Sequence, residues 1–388
     1  VGGGKMSHRG DKYGIAALLF LLLTLLSSCG QPTGQNVAAV DYNQYISAHG
    51  AVAYTENLYI FFENGYLTYI DCSNPSKSSP LCFQADCNHR SSTCTSWLNT
   101  PSRAIYASGD NLYYIDLDKS KTPGLYRMDL SGGRRERVKD LEILENDYWP
   151  GISTFGYSFR VYGSYLAVEL NLLKNDSRQS MIYLTRIDDR SEGTFVFEGN
   201  ENGDVLYTAI EFREDWMFVT EKNTAAGANT LLGYDLSKQS AVPLVEGWDI
   251  NNSFTMQDSV LYWTVPGEGI YSMDIEEKSI VKYRDLDPVL EYGATAYDDQ
   301  YLYLTNAIRY MDYQGTVPAE GRGIMVYDFH GNLQQFIPMT QEVGNAMFLL
   351  STPDYVFFYD DSTHSCHPAW YMEKSAIASN SAKMLPVE

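Results

Sequence analysis

One repeated stretch limits what this chain can fold into. Residues 103–141 contain Gly109-Asp110-Asn111-Leu112-Tyr113-Tyr114-Ile115-Asp116, then Gly124-Leu125-Tyr126-Arg127-Met128-Asp129-Leu130, then Ser131-Gly132-Gly133 and a further run through Arg137-Val138. Apolar alternation at period two gives each run one inward face, and Gly, Asn and Asp suit the turns between runs. Seven copies of the first run occur: Leu58-Tyr59-Ile60, Leu112-Tyr113-Tyr114, Tyr165-Leu166-Ala167, Trp216-Met217-Phe218, Val260-Leu261-Tyr262, Tyr301-Leu302-Tyr303 and Val356-Phe357-Phe358. They are spaced 54, 53, 51, 44, 41 and 55 residues apart. The second run closes on an aspartate six times, at Asp71, Asp129, Asp188, Asp235, Asp274 and Asp328; its seventh copy, at 370–373, is degenerate.

Short strands repeating every 40–50 residues are the mark of a β-propeller, because a four-stranded blade cannot bury both faces until it stacks on neighbours. No stretch after residue 30 keeps an apolar 3.6-residue period over three turns without Gly or Pro, and the 31 tyrosines favour strands. The chain therefore reads as all-β, with seven four-stranded blades; six or eight stay compatible because the first and last copies match least. Each repeated aspartate is expected to bond its own backbone in the turn to the outer strand, not to act in catalysis. No spare strand follows residue 387, so each blade is expected to use contiguous chain. Apolar contact between blades 1 and 7 would then close the ring.

The Asp-Asn-Leu-Tyr-Tyr and Gly-Leu-Tyr-Arg-Met-Asp-Leu-Ser-Gly-Gly segments resemble those of bacterial lipoproteins with a TolB-like or related β-propeller domain. The resemblance covers residues 45–388 and implies the fold rather than an activity. The Gly-His and Trp-Asp marks of WD40 repeats are absent, as are the repeated Trp-docking motifs of quinone-cofactor propellers.

The N-terminal segment is read as a targeting sequence. Lys5, Arg9 and Lys12 precede an apolar run from Ile15 to Leu26, and Leu26-Ser27-Ser28-Cys29 follows. The apolar run is short for a membrane span. The last four residues resemble a lipobox, which implies cleavage before Cys29 and lipid on its thiol. The expected organisation is a signal peptide over 1–28 with the true start at Met6, a lipidated Cys29 and tether over 29–44, and one propeller domain over 45–388. Loss of the leader, with Lys5, Arg9, Lys12 and Asp11, takes the net charge from −21 to −23. Such a charge argues against nucleic acid as a partner. The expected address is the outer face of the cell membrane, with the protein a monomer held there by lipid.

Loops joining strands two and three of a blade share a face with the connections between blades. The sequence places long loops there at 172–179, 221–229, 306–322 and 360–368, with long connections at 83–104 and 139–155. Trp97, Tyr148, Trp149, Tyr310, Tyr313, His364 and His367 are candidates for a binding face on these segments. His364 and His367 also flank Cys366 as a candidate half-site, or are plain surface histidines.

Cys82, Cys87, His89 and Cys94 form the one dense chemical motif. Three thiolates and an imidazole suit a structural zinc ion. A similar Leu-Cys…Cys-x-His…Cys arrangement belongs to the resemblance. Disulfides are the alternative, with Cys366 reaching the cluster and Cys72, at the other end of its hairpin, left over. Neither G-x-S-x-G nor H-E-x-x-H nor a phosphate loop is present. Function is thus expected to be binding or scaffolding of a protein, peptide or envelope glycan. The alternative is a hydrolase or lyase acting on glycan, for which Asp147, Glu169, Asp312 and His364 are the available acid–base residues.

Overall fold

A computed structural model describes residues 51–387, other than 55–56, 62–64, 83, 91–92, 99–104, 146–152, 175–176, 190, 248–253, 258, 266–267, 286–294, 299, 306–322, 340–342, 344–345 and 361–366. Seven four-stranded antiparallel sheets are formed, each from consecutive strands. Blade 2 illustrates the plan with Ile105–Ser108, Asn111–Leu117, Pro123–Asp129 and Arg135–Asp140 hydrogen-bonded in that order. First strands of neighbouring blades contact one another around the centre. The chain is a seven-bladed β-propeller.

The core is divided among the gaps between blades, and one rule governs it. The second residue of each second strand packs back on the preceding blade: Leu58, Leu112, Leu166, Met217, Leu261, Leu302 and Val356. The third packs forward on the next blade: Tyr113, Ala167, Phe218, Tyr262, Tyr303 and Phe357. Alternation at period two makes this unavoidable once the register is set. The register also corrects the sequence alignment. Tyr165, Trp216, Val260 and Tyr301 are each one residue early, and Leu166, Met217, Leu261 and Leu302 are the true equivalents of Leu112. Aromatic and aliphatic residues fill both faces of these strands, so the apolar pattern alone does not reveal a one-residue slip.

Blades 7 and 1 close the ring without exchanging a strand. Leu349, Leu350, Phe357 and Tyr359 of blade 7 bury against Leu58, Ile70 and Cys72 of blade 1. The degenerate seventh copy is a full third strand, Pro368–Glu373, followed by the one-turn helix Ser375–Ala378 and a two-residue outer strand, Leu385–Pro386. At the rim, side chains of outer strands clasp the next blade's turn. Lys139 Nζ donates to the carbonyls of Arg186, Asp189 and Ser191 at 2.8–3.0 Å. Arg284 donates to Gly331 O at 2.6 Å, and Gln335 Nε2 to Ala382 O at 2.9 Å.

Five of the six repeated aspartates cap their turns. Asp71, Asp129, Asp235, Asp274 and Asp328 each accept at least one backbone N–H two to five residues on. In blade 3 that task moves to Asp189, which accepts from Ser191 N, while Asp188 pairs with Arg186. Two of the expected long loops are in fact strand. Blade 3 pairs as far as Lys174↔Ser177 and blade 4 as far as Asn223↔Ala228, so paired strand takes up most of 172–179 and of 221–229.

Candidate metal centre

Residues 82–98 join the outer strand of blade 1, Ser78–Pro80, to blade 2. Their two ends are seated by packing and backbone bonds. Leu81 and Leu98 bury with Leu67, Leu112, Tyr114 and Met128 between the blades. Leu67 N donates to Ser96 O and Leu98 N to Gly65 O, each at 2.7 Å, so residues 96–98 run beside the hairpin of blade 1. Gly65 has φ +84°, a conformation that disfavours any side chain. Trp97 stands edge-on to Tyr66, with ring centroids 5.0 Å apart. It thereby anchors the segment that carries it. Arg135, from the outer strand of blade 2, donates to Thr95 O at 2.7 Å and also to Trp97 O.

Between these ends the four sequence candidates come together. The ligand atoms of Cys82, Cys87, His89 and Cys94 all lie within 4.8 Å of one another. His89 Nδ1 is 3.4 Å from Cys94 Sγ. Zinc–sulfur and zinc–nitrogen bond lengths imply tetrahedral edges of roughly 3.5–3.8 Å, so this spacing suits a four-coordinate ion. A disulfide would need sulfurs about 2.05 Å apart, and no disulfide joins Cys82, Cys87 and Cys94 to one another. Cys72 belongs to the blade 7–1 gap and takes no part in the cluster.

Each sulfur also has a hydrogen-bond donor in reach. Thr95 Oγ1 donates to Cys82 Sγ at 3.2 Å and His89 N to Cys87 Sγ at 3.4 Å, and Ser96 Oγ lies 2.9 Å from Cys94 Sγ. His89 reaches its place with φ +52°, which turns the chain sharply after Cys87. The electrostatics suit a cation. Burial acts to raise the Cys82 thiol, but bonds from Thr95, Gln84 N–H and Cys94 outweigh it and bring the pKa to about 6. At Cys87 the bond from His89 N–H lowers the pKa, and burial with the neighbouring sulfurs of Cys94 and Cys82 outweighs that and raises it. One thiolate thus disfavours the next, and a divalent cation removes that conflict.

The other candidates are distributed as follows. His367 lies beside Pro368, with Nδ1 2.6 Å from Pro368 O. Glu169 accepts from Ser158 Oγ at 3.0 Å and Asn171 Nδ2 at 3.1 Å within blade 3. Cys29, Asp147, Tyr148, Trp149, Tyr310, Asp312, Tyr313, His364 and Cys366 lie outside the described residues. Thr95, Ser96 and Arg135, which surround the sulfurs and seat the loop, were missed by sequence reasoning. The hydroxyls next to Cys94 were the one available signal.

No protein-family model matches the chain, and no curated protein matches it. Among solved structures it is similar to a prolyl endopeptidase at 13% identity and a TM-score of 0.57, over 89% of this chain and 50% of that one. It is also similar to BamB from Moraxella catarrhalis, with 10% identity, TM-score 0.42, and 80% and 81% of the two chains covered. An oligogalacturonate lyase in complex with manganese gives 10% identity, TM-score 0.41, and coverage of 68% and 74%. The chain thus spans about half the length of the prolyl endopeptidase, and that likeness shows the propeller fold.

Proposed function

We propose that the chain is a binding or scaffold module, held by lipid on Cys29 at the outer face of the membrane, whose loop-bearing face takes a protein, peptide or envelope glycan. A structural zinc ion on Cys82, Cys87, His89 and Cys94 holds that face in shape. The observation that carries the reading is the convergence of these four ligand atoms within 4.8 Å in a connection on that face. A closed set of four protein ligands suits a structural rather than a catalytic zinc, which keeps one position open. The leader ending in Leu26-Ser27-Ser28-Cys29 supports the address, and the acidic net charge supports a partner other than nucleic acid.

Metal analysis of the full chain, purified without chelator, tests the centre. One zinc per chain is expected. No zinc, together with thiols that no longer titrate, would refute it in favour of disulfides. The binding role is tested by crosslinking in intact cells, where Trp149→Ala with Tyr310→Ala should cut partner recovery at least about tenfold. Unchanged recovery of every crosslinked species counts against this face.

A further inference from the structure

We infer that Thr95 and Ser96 are positioning residues of the metal centre, and that through them metal occupancy sets whether residues 96–98 dock on blade 1. The inference deepens the zinc reading above and rests on it. Ser96 is fully buried, and its hydroxyl lies 2.9 Å from Cys94 Sγ. A buried hydroxyl needs a partner, and a metal-bound thiolate only accepts, so Ser96 donates to it. Thr95 donates to Cys82 in the same way. These hydroxyls tie two of the three sulfurs to two consecutive residues.

The same two residues carry the backbone bonds that seat the connection. Ser96 O accepts from Leu67 N, Thr95 O accepts from Arg135, and Leu98 N, two residues on, donates to Gly65 O. A bound ion fixes both sulfurs. The sulfurs fix the hydroxyl directions, and the hydroxyls orient the peptide planes at 95 and 96 toward Leu67 of blade 1 and Arg135 of blade 2. With the ion gone, the three crowded thiols no longer share a common centre and that chain of constraints is cut. Partners of metal ligands commonly change metal affinity by about 10–100-fold when removed.

Cobalt(II) loaded into the full-length protein gives the test a spectroscopic readout. Thr95→Val and Ser96→Ala should shift the sulfur-to-cobalt charge-transfer band and weaken zinc in chelator competition by about 10–100-fold. Thr95→Ser should restore both. The half-buried Thr95 keeps the test open should Ser96→Ala fail to fold. Zinc removal from the wild type should speed hydrogen exchange at the Leu67 and Leu98 amides at least about tenfold while the blade 6 strand Gly323–Asp328 keeps its protection. Variants with wild-type spectrum and affinity would overturn the positioning roles, and unchanged exchange at Leu67 and Leu98 would overturn the coupling. A wild type that takes up no cobalt or zinc would overturn the underlying metal reading, and the inference with it.

Discussion

Two junctions between neighbouring blades meet the same requirement by different chemistry. Blade 6 meets blade 7 through Tyr303, Ile324, Val326, Phe348, Phe358 and Met372, all fully buried. An ion pair completes that gap: Lys374 Nζ lies 2.8 Å from Asp298 Oδ2, with both side chains essentially inaccessible to water. Asp298 also accepts from Tyr303 OH at 2.7 Å and from the N–H groups of Gln300 and Tyr301 at 2.8 Å. Among the described residues, blade 1 meets blade 2 through a smaller buried set, then through a connection whose residues 84–90 are largely polar and exposed. There, under the proposed function, an ion on three sulfurs and an imidazole would take the place of apolar burial. A loop poor in apolar side chains cannot be held by area burial, whereas a metal cross-link needs only four ligands in place.

The largest effect that would sharpen this contrast is expected at the blade 6–7 junction. Lys374→Met leaves the Asp298 carboxylate buried without its cation, and such a loss costs about 3–5 kcal/mol. Denaturant unfolding should show it as a lower midpoint, and adding Asp298→Asn should recover part of it. A cost under about 1 kcal/mol would mean that water reaches this pair. Metal removal comes next, at the blade 1–2 junction. With free zinc at about 100–1,000 times its dissociation constant, chelation should cost about 2.7–4.1 kcal/mol. Cys87→Ser protein should not respond to chelator, and equal responses from the two proteins would break the comparison.

The smallest effect belongs to a turn common to most blades. Burial acts to raise the Asp129 carboxyl, but bonds from the Ser131 hydroxyl and from the N–H groups of Arg134, Gly133 and Ser131 outweigh it and hold the pKa at about 2. A lowered pKa contributes stability that is complete above the ordinary carboxylate value, about 3.9, and is lost as pH falls through about 2. Asp129→Asn should cost about 1 kcal/mol at neutral pH and flatten the acid limb of the stability profile between those two values. An unchanged acid limb would remove Asp129 from the account.

Much of the ring was legible in the chain. The run with Leu112 and the aspartate that ends the next run recur because every blade must bury two faces and turn at the same place. Asp188 shows the limit of such reading. It holds the repeat position, yet Asp189 caps the turn, and only the observed hydrogen bonds separate them. The hairpins of blades 3 and 4 show another limit. Residues 172–179 and 221–229 hold many polar residues, which read as loop, but an extended hairpin exposed to water is polar too.

The sequence by itself determined the period, the strand-forming composition and the presence of three cysteines and a histidine within thirteen residues. These follow from local chemistry, which nearby residues carry in full. Only the tertiary structure decided the register, the closure of blade 7 on blade 1 and the convergence of Cys82, Cys87, His89 and Cys94. A one-residue slip leaves composition unchanged yet exchanges the two faces of a strand, and only packing against both neighbouring blades selects between them. The seating of Thr95 and Ser96 has the same origin, since Leu67 and Arg135 lie 28 or more residues away in the chain and are neighbours only once the blades have stacked.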